Sequence, residues 1–170
     1  KSTKKVWWQC SVHMSHEWKT SVNHRTRLNQ NCPYCANKKV CETNSLASLF
    51  PNIAKELHPK KNGTIKPTDI LPGSNRKVWW QCPVAEDHEW QVSVGERTGR
   101  GDGCPFCAGK KPSSTNNLSD FNQTLSKDWH PTKNGDLTPQ KVTRGSSKRV
   151  WWQCAVASDH EWQATVASRA

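Results

Sequence analysis

The 170-residue chain has little of the apolar material that usually builds a protein core. Hydrophobic residues make up 33%, with one Met and three Phe. No apolar run approaches the roughly 20 residues that a membrane-spanning helix needs, so the sequence predicts no membrane association. The first residues lack the apolar stretch of a signal peptide. One large core is therefore not expected, and another source of stability is required.

Acidic residues are also scarce. The chain has 14 Asp and Glu against 25 Lys and Arg, for a net charge of +11 at neutral pH. This surplus favours a polyanionic partner, the alternative being plain solubility. The acids are scattered, as at Glu42, Glu56 and Asp69, and no nucleophile lies beside a candidate base. The sequence therefore predicts a protein that is not an enzyme.

Tryptophan and cysteine are abundant instead, with ten and eight residues. The stretch Val-Trp-Trp-Gln-Cys begins at residue 6 and returns at residues 78 and 150, so the spacing is about 72 residues each time. A His-Glu-Trp block and a Cys-Pro-x-Cys block recur with the same spacing. A fixed period of this size indicates tandem structural repeats.

The repeat also predicts the division of the chain. The part of each unit that carries Trp, Cys and His spans about 36 residues, and a domain of this size usually needs a disulfide, a metal or a partner. We predict module 1 at 1–40, an inter-module segment at 41–76, module 2 at 77–112, a second inter-module segment at 113–148, and an incomplete module 3, the hairpin half only, at 149–170.

Alternating residues predict a β-hairpin at the start of each module. In module 1, Val6, Trp8 and Cys10 share one face of the first strand, whereas Trp7 lies on the other face. The second strand begins at His16, so the hairpin brings Cys10 and His16 to the same end. The polar stretch that follows is rich in glycine in module 2, which predicts a loop.

The inter-module segments carry apolar residues at helical spacing. Asn44 and Asn116 are the candidate caps. Pro51 is expected to break the first segment into two short helices. Gln123 occupies the same position in the second segment, where a continuous helix is expected.

Two pairs of potential metal ligands recur in each complete module. Cys-x5-His comes first, and Cys-x2-Cys follows the hairpin. Two such pairs can surround one tetrahedral zinc ion, and four protein ligands leave no open position for catalysis. The sequence predicts two structural zinc ions, bound by Cys10, His16, Cys32 and Cys35 in module 1 and by Cys82, His88, Cys104 and Cys107 in module 2.

Module 3 contains only half of this set, Cys154 and His160. Its missing cysteine pair would fall after residue 170, so we expect the chain to be a piece of a longer polypeptide. The half-site is expected to stay empty or to bind zinc weakly.

Two other residues compete for a place in the first site. His13 could replace His16, but module 2 has Ala85 at that position, whereas His88 matches His16. Cys41 aligns with Ser113 and is therefore expected to be a thiol that does not bind metal.

Redox chemistry and disulfide bonding are the alternatives to zinc. Cys-Pro-Tyr-Cys also occurs in glutaredoxin-type active sites, but there it lies in a βαβ context. Here the motif is duplicated, follows a hairpin and accompanies a Cys/His pair. A disulfide scaffold would leave the repeated histidines unexplained. Reduced thiols also favour an intracellular compartment, with organelle targeting left open.

The Trp-Trp-x-Cys, His-Glu-Trp and Cys-Pro-x-Cys motifs resemble a family of tandem probable zinc-ribbon or treble-clef-like zinc finger modules. The resemblance covers nearly the whole chain. It implies small α+β zinc-binding repeats, each with a β-hairpin and a Cys-Pro-x-Cys turn, joined by short helices. It also implies nucleic acid as the suspected ligand. Modules of this family sometimes occur beside nuclease-type domains.

Charge and resemblance together predict a zinc array that binds nucleic acid, with DNA favoured and RNA possible. The alternative is a protein-interaction or assembly scaffold, such as an accessory module of a nuclease or of a ribosome-associated complex. The candidate contacts to nucleic acid are Arg25, Arg27, Lys38, Lys39, Arg97, Arg100, Lys110 and Lys111, with Trp7 and Trp79 as exposed aromatic rings.

Overall fold

The computed structural model describes residues 2–170. Within this range the chain forms only short elements. In chain order they are β1 (Lys5–Gln9), β2 (Glu17–Ser21), α1 (Val22–Thr26), α2 (Leu46–Leu49), α3 (Pro51–Ala54), a 3₁₀ turn (Pro67–Asp69), β3 (Lys77–Gln81), β4 (Glu89–Ser93), α4 (Val94–Gly99), α5 (Leu118–Phe121), α6 (Gln123–Lys127), a second 3₁₀ turn (Pro139–Lys141), β5 (Arg149–Gln153) and β6 (Glu161–Thr165).

The strands pair as the alternation predicts. Within residues 2–170 they form two-stranded sheets, β1 with β2, β3 with β4 and β5 with β6. Trp8 lies opposite Trp18 in the first antiparallel hairpin. Trp80 and Trp152, which align with Trp8, are fully buried. In these two pairs the second tryptophan therefore supplies core that scarce aliphatic residues cannot, whereas Trp8 is partly buried.

The prediction of a loop after the second strand of module 2 is wrong for its first part, because α4 forms there, as α1 does at the same place in module 1. In module 2, the Ser93 side chain accepts a hydrogen bond from the Glu96 backbone N–H, and the Glu96 side chain accepts from the Ser93 N–H. This capping box satisfies N–H groups that a helix start leaves free. Gly95 fits because a Cβ there would lie 3.3 Å from the Gly73 carbonyl group.

Both inter-module segments contain two short helices instead of one. Pro51 begins α3, as predicted. The prediction of a continuous second helix is wrong, because Asn122 separates α5 from α6 and its side chain accepts a hydrogen bond from the Leu125 N–H. The caps of α2 and α5 are Ser45 and Asn117, one residue after the predicted asparagines.

The described residues divide into two compact units. One comprises the chain up to Trp79 together with Val92–Gly101, and the other comprises Trp80–Gln91 and Asp102–Ala170. In the first unit, Trp18 is buried beside Cys10 and Cys32, with Trp8 and Tyr34 packed against them. In the second unit, the core consists of Leu118, Leu125, Val142, Val150, Trp152 and Val166.

The architecture matches the predicted class of small α+β zinc-binding repeats with hairpins and short helices. Among residues 2–170, none of the helices has the length and apolar character to cross a membrane.

Candidate zinc centres

The fold brings the four predicted ligands of module 1 together. Cys10 follows β1, His16 precedes β2, and Cys32 and Cys35 lie in the turn after α1. Their ligand atoms all lie within 4.8 Å of one another. The Sγ atoms of Cys10 and Cys35 are 3.6 Å apart, and His16 Nδ1 lies 3.6 Å from Cys32 Sγ and 3.5 Å from Cys35 Sγ.

Module 2 repeats this geometry. The Sγ atoms of Cys82 and Cys107 are 3.7 Å apart. His88 Nδ1 lies 3.6 Å from the Sγ atoms of both Cys104 and Cys107. Three of the four ligand residues are buried in each module, and only the last cysteine of each set is exposed.

These distances fit a tetrahedral zinc ion. With Zn–S bonds of about 2.3 Å and Zn–N bonds of about 2.0–2.1 Å, a tetrahedron has S···S edges of about 3.8 Å and S···N edges of about 3.5 Å. The observed separations lie close to both values. Three thiolates and one imidazole are also a donor set that zinc prefers in structural sites. The chain therefore has two Cys3His zinc-binding sites, as the sequence predicts.

The Cys-Pro-x-Cys turn is fixed by its own backbone. The Ala36 N–H donates to the Cys32 carbonyl at 3.0 Å, and the Lys38 N–H donates to the Pro33 carbonyl at 2.8 Å. The turn ends at Asn37, whose φ of 52° lies in the left-handed region. Module 2 has Gly109 there, with φ of 69°. Asparagine and glycine adopt this conformation more readily than other residues.

The variable residue of each turn packs on the ligand histidine. The Tyr34 ring stacks on the His16 imidazole with centroids 5.0 Å apart, and Phe106 stacks on His88 at 5.1 Å. This contact restricts the rotation of each imidazole while Nδ1 points toward the sulfurs. Sequence reasoning missed this role, although an aromatic residue between the two cysteines in both modules was a usable signal.

The other imidazole nitrogen also has partners that the sequence analysis missed. His88 Nε2 lies 2.9 Å from Ser113 Oγ and 2.9 Å from Thr115 Oγ1. In module 1, His16 Nε2 lies 3.3 Å from Cys41 Sγ. A histidine that binds metal usually donates its other N–H, which fixes the tautomer and the ring orientation. The alignment of Cys41 with Ser113 was the available signal.

An asparagine connects each zinc turn to the inter-module segment. The Asn44 side chain donates to the carbonyl groups of Tyr34 and Lys39, and its Oδ1 accepts from the Cys41 N–H at 2.7 Å. Asn116 does the same with Phe106, Lys111 and Ser113. These residues hold the turn, which explains why they do not cap the helices.

The sulfur clusters shift the acidity of the metal-free thiols. Hydrogen bonds from the backbone N–H groups of Val12 and His13 lower the pKa of Cys10 to about 6. The hydrogen bond with Cys10, and then the partial desolvation of the sulfur by its neighbours, raise the pKa of Cys35 to about 12, although the residue as a whole is exposed. In module 2, burial of the sulfur within the cluster and its hydrogen bond with Cys82 raise the pKa of Cys107 to about 12. A bound cation would remove this competition between neighbouring sulfurs by stabilising all the thiolates.

Module 3 has the hairpin of a zinc centre without the turn. The Cys154 N–H donates to the His160 carbonyl at 3.0 Å, as Cys10 does to His16. His160 is exposed, unlike the buried ligand histidines. Among residues 2–170, no third cysteine or histidine joins this pair.

The basic residues predicted to contact nucleic acid fall into two groups. The exposed ones lie beside the zinc turns or at the ends of α1 and α4. Lys110 is paired with Asp102 at 3.8 Å, and Arg100 with Glu96 at 3.9 Å, but the side chains of Lys110 and Arg100 are 69% and 72% exposed. Such pairs hold a side chain weakly. The exposed group comprises Arg27, Lys38, Lys39, Arg100, Lys110 and Lys111.

The second group, Arg25 and Arg97, contacts residues of its own module, and Arg97 is buried whereas Arg25 is partly exposed. The Arg97 side chain is 8% exposed, and its Nη2 donates to Glu56 Oε2 at 2.7 Å. Arg25 lies over the rings of Trp8 and Trp18 and donates to the Gln30 carbonyl at 3.0 Å. These two arginines brace the hairpins.

The two predicted aromatic contacts also differ from each other. Trp7 is 69% exposed. Trp79 is only partly exposed, and Lys61 Nζ lies 4.9 Å from the centre of its ring.

Two Cys3His centres, each built from a hairpin and a following cysteine turn, define a protein of tandem zinc fingers. A family described as probable treble clef zinc finger domains matches residues 1–38, 53–110 and 125–170. These matches cover most of the chain, which therefore belongs to this family. A search of curated proteins finds no match to the chain.

Proposed function

We propose that this chain is a non-enzymatic array that binds nucleic acid through the exposed basic residues beside its zinc centres, with duplex DNA as the favoured ligand. The observation that carries the proposal is the lysine pair after each zinc turn. Lys38 and Lys39 both donate their backbone N–H groups to the Pro33 carbonyl, and Lys110 and Lys111 do the same with Pro105. The four side chains remain exposed.

The protein stays basic when zinc is bound. Two zinc ions add four positive charges and six thiolates remove six, so the formal +11 becomes about +9. A surplus of this size attracts phosphates without requiring base recognition. Since four protein ligands fill each site, the metal has no open position for a substrate. We assign the protein to a reducing intracellular compartment, in which thiolate ligands persist.

The experiment is a titration of zinc-loaded protein with labelled single- and double-stranded DNA and RNA at several salt concentrations. Replacing Lys110 and Lys111 with alanine should weaken binding similarly across sequences, since phosphate contacts position a protein without reading bases. On duplex DNA, the slope of log K against log salt should decrease by about 1.8, or about 0.9 for each lysine that no longer neutralises a phosphate.

The matched control is the double variant Lys55→Ala/Lys60→Ala. It removes the same charge from exposed positions of the first inter-module segment, and it should change binding much less. An equal weakening in the two double variants would indicate an attraction that depends on net charge alone. A folded, zinc-loaded protein that binds no polynucleotide at low salt would reject the proposal.

A second candidate function is polypeptide docking. It is favoured by the hydrogen bonds that fasten each inter-module segment to the hairpin that follows it, between Asn62 and the Trp79 backbone and between Asn134 and the Trp151 backbone.

A further inference from the structure

Each complete module has a cavity beside its zinc turn. The cavity of module 1 has a volume of about 630 Å³ and that of module 2 a volume of about 610 Å³, within the range of small-molecule sites. Both are lined by the zinc turn, the first helix of the inter-module segment and the turn that ends this segment. Equivalent lining positions are Asn37 and Gly109, Leu49 and Phe121, and Pro72 and Arg144.

Both cavities lie well inside the chain. Every position that lines the first recurs one period later, and every position that lines the second has a counterpart one period earlier. In module 2, a Cβ at Gly109 or Gly145 would meet no atom within 4 Å apart from those of adjacent residues, so the space beside these glycines is open. The cavity is therefore a recurrent feature of the repeat.

The cavity of module 2 combines an aromatic ring with cations. Phe121 is 51% exposed, and Arg144 Cζ lies 4.6 Å from the centre of its ring. Lys111 Nζ lies 5.9 Å from the ring centre of Phe106, which also lines the cavity. Among the described residues that line this cavity, none is acidic. The ligand that matches these groups is planar in one part and anionic in another.

The cavity of module 1 lacks this combination. Leu49 and Pro72 replace the ring and the guanidinium group. Its charged lining residues are Asp69 and Arg76, whose formal charges cancel. An aspartate in the wall opposes an anionic ligand. Module 1 therefore provides a matched control for the cavity of module 2.

We propose that the cavity of module 2 binds one unpaired nucleotide of a nucleic-acid strand. The base would stack on Arg144 and Phe121, and the phosphate would lie at Lys111. Unpaired bases stack on aromatic rings and on guanidinium planes, and lysines neutralise phosphates without reading the base. The inference rests on the proposed function, because it uses the lysine pair after the zinc turn, and it adds the recognition of an unpaired base.

The test compares three DNA probes with zinc-loaded protein. They are a blunt duplex, the same duplex with a thymidine overhang, and the same duplex with an abasic overhang of equal length. The thymidine overhang should bind at least about fivefold more tightly than the blunt duplex, the smallest gain expected from one stacked base. The abasic overhang should give little of this gain, because it adds phosphate without a base. Fluorescence anisotropy measures all three affinities.

Variants locate the base, each compared with its own affinity for the blunt duplex. Phe121→Leu inserts the residue of module 1 and should remove most of the gain. Arg144→Lys retains the charge without the plane and should reduce the gain as well. The matched control is Leu49→Ala, at the equivalent position of module 1, which is 55% exposed. It should leave the gain unchanged.

The outcomes separate this inference from the proposed function. Equal affinity for the blunt and thymidine-overhang duplexes would overturn the nucleotide site and leave duplex binding intact. A gain that survives Phe121→Leu would place the base elsewhere and overturn the site too. Binding of the overhang alone, lost in Phe121→Leu, would support the site and reject the preference for duplex DNA. Absence of binding to any probe would reject both proposals.

A polypeptide ligand has its own outcome. NMR titration with oligothymidylate should give saturable shifts at the Phe121 ring and the Arg144 side chain. Saturable shifts there with an acidic, tryptophan-containing peptide, and none with oligothymidylate, would identify a polypeptide as the ligand and overturn the assignment.

Discussion

His88 Nε2 lies 2.9 Å from Ser113 Oγ, and the position of Ser113 is filled in module 1 by Cys41, whose sulfur lies 3.3 Å from His16 Nε2. The two residues occupy the same place relative to a zinc ligand. With zinc bound at Nδ1, both residues would accept the N–H of the imidazole nitrogen that faces away from the metal.

This relationship predicts the effect of changing either residue. Ser113→Ala combined with Thr115→Ala should lower the zinc affinity of module 2 by about 10–100-fold, because the imidazole then lacks the partners that orient it. Cys41→Ser gives module 1 the arrangement of module 2 and should retain normal affinity. Competition with a chromophoric chelator measures the zinc affinity of both variants. Zinc release in Cys41→Ser would instead show that the thiol is a ligand.

The zinc content itself is the next prediction. Purified protein should carry two zinc ions, and Cys35→Ser and Cys107→Ser should each impair the site in their own module. Cys154→Ser should leave the zinc content unchanged. Structural zinc contributes on the order of 10–16 kcal/mol in small finger peptides, so chelation should unfold the modules. Elemental analysis with circular dichroism tests this, and a metal-free chain that stays folded would contradict it.

The two histidines of the first hairpin should behave differently. His16→Ala should weaken zinc binding in module 1, because it removes a buried ligand. His13 contributes its carbonyl, which accepts from the His16 N–H at 3.1 Å, and Ala85 makes the same contact with His88 at 3.2 Å. His13→Ala should therefore leave zinc affinity nearly unchanged. A larger loss of zinc affinity in His13→Ala than in His16→Ala, measured by competition with a chelator, would identify His13 as the ligand.

Zinc binding should release protons. At pH 7.5 Cys10 is already largely a thiolate, since its pKa is lowered to about 6, whereas Cys35 and Cys107, with pKa values raised to about 12, remain protonated until zinc binds. Each complete site should therefore release at least one proton, and zinc affinity should rise with pH. Calorimetry in buffers of different ionisation enthalpy counts these protons. An enthalpy that is independent of the buffer would contradict the prediction.

Arg97 and Arg25 occupy equivalent positions but should differ in their effect on stability. Arg97→Ala leaves Glu56 without its partner in a largely buried pair and should lower the free energy of unfolding by about 2–4 kcal/mol. Arg25→Ala removes contacts to tryptophan rings and to Gln30, and should lower it by about 1 kcal/mol. Urea titration of zinc-saturated protein measures the difference. Equal decreases would mean that the ion pair contributes little.

The zinc ligands were predictable because their spacing along the chain limits where they can meet. Two cysteines separated by two residues can approach one ion from a single turn, and a hairpin brings Cys10 close to His16. The exact repetition of this pattern in module 2 excluded coincidence. The alternation of Val6, Trp8 and Cys10 likewise predicted the buried face of β1, because side chains in a strand point to opposite sides.

The contacts that support the ligands were decided by tertiary structure. Arg97 meets Glu56 across 41 positions, and Asn62 reaches the Trp79 backbone across 17. No local periodicity connects residues so far apart. From sequence alone a charged or amide side chain is expected to be solvent-exposed, and only the packing of the folded chain shows that it is buried. The sequence by itself therefore determined the metal and its ligands. The folded chain decided which arginines are structural and which strand edges the inter-module segments cover, because both depend on which segments pack together.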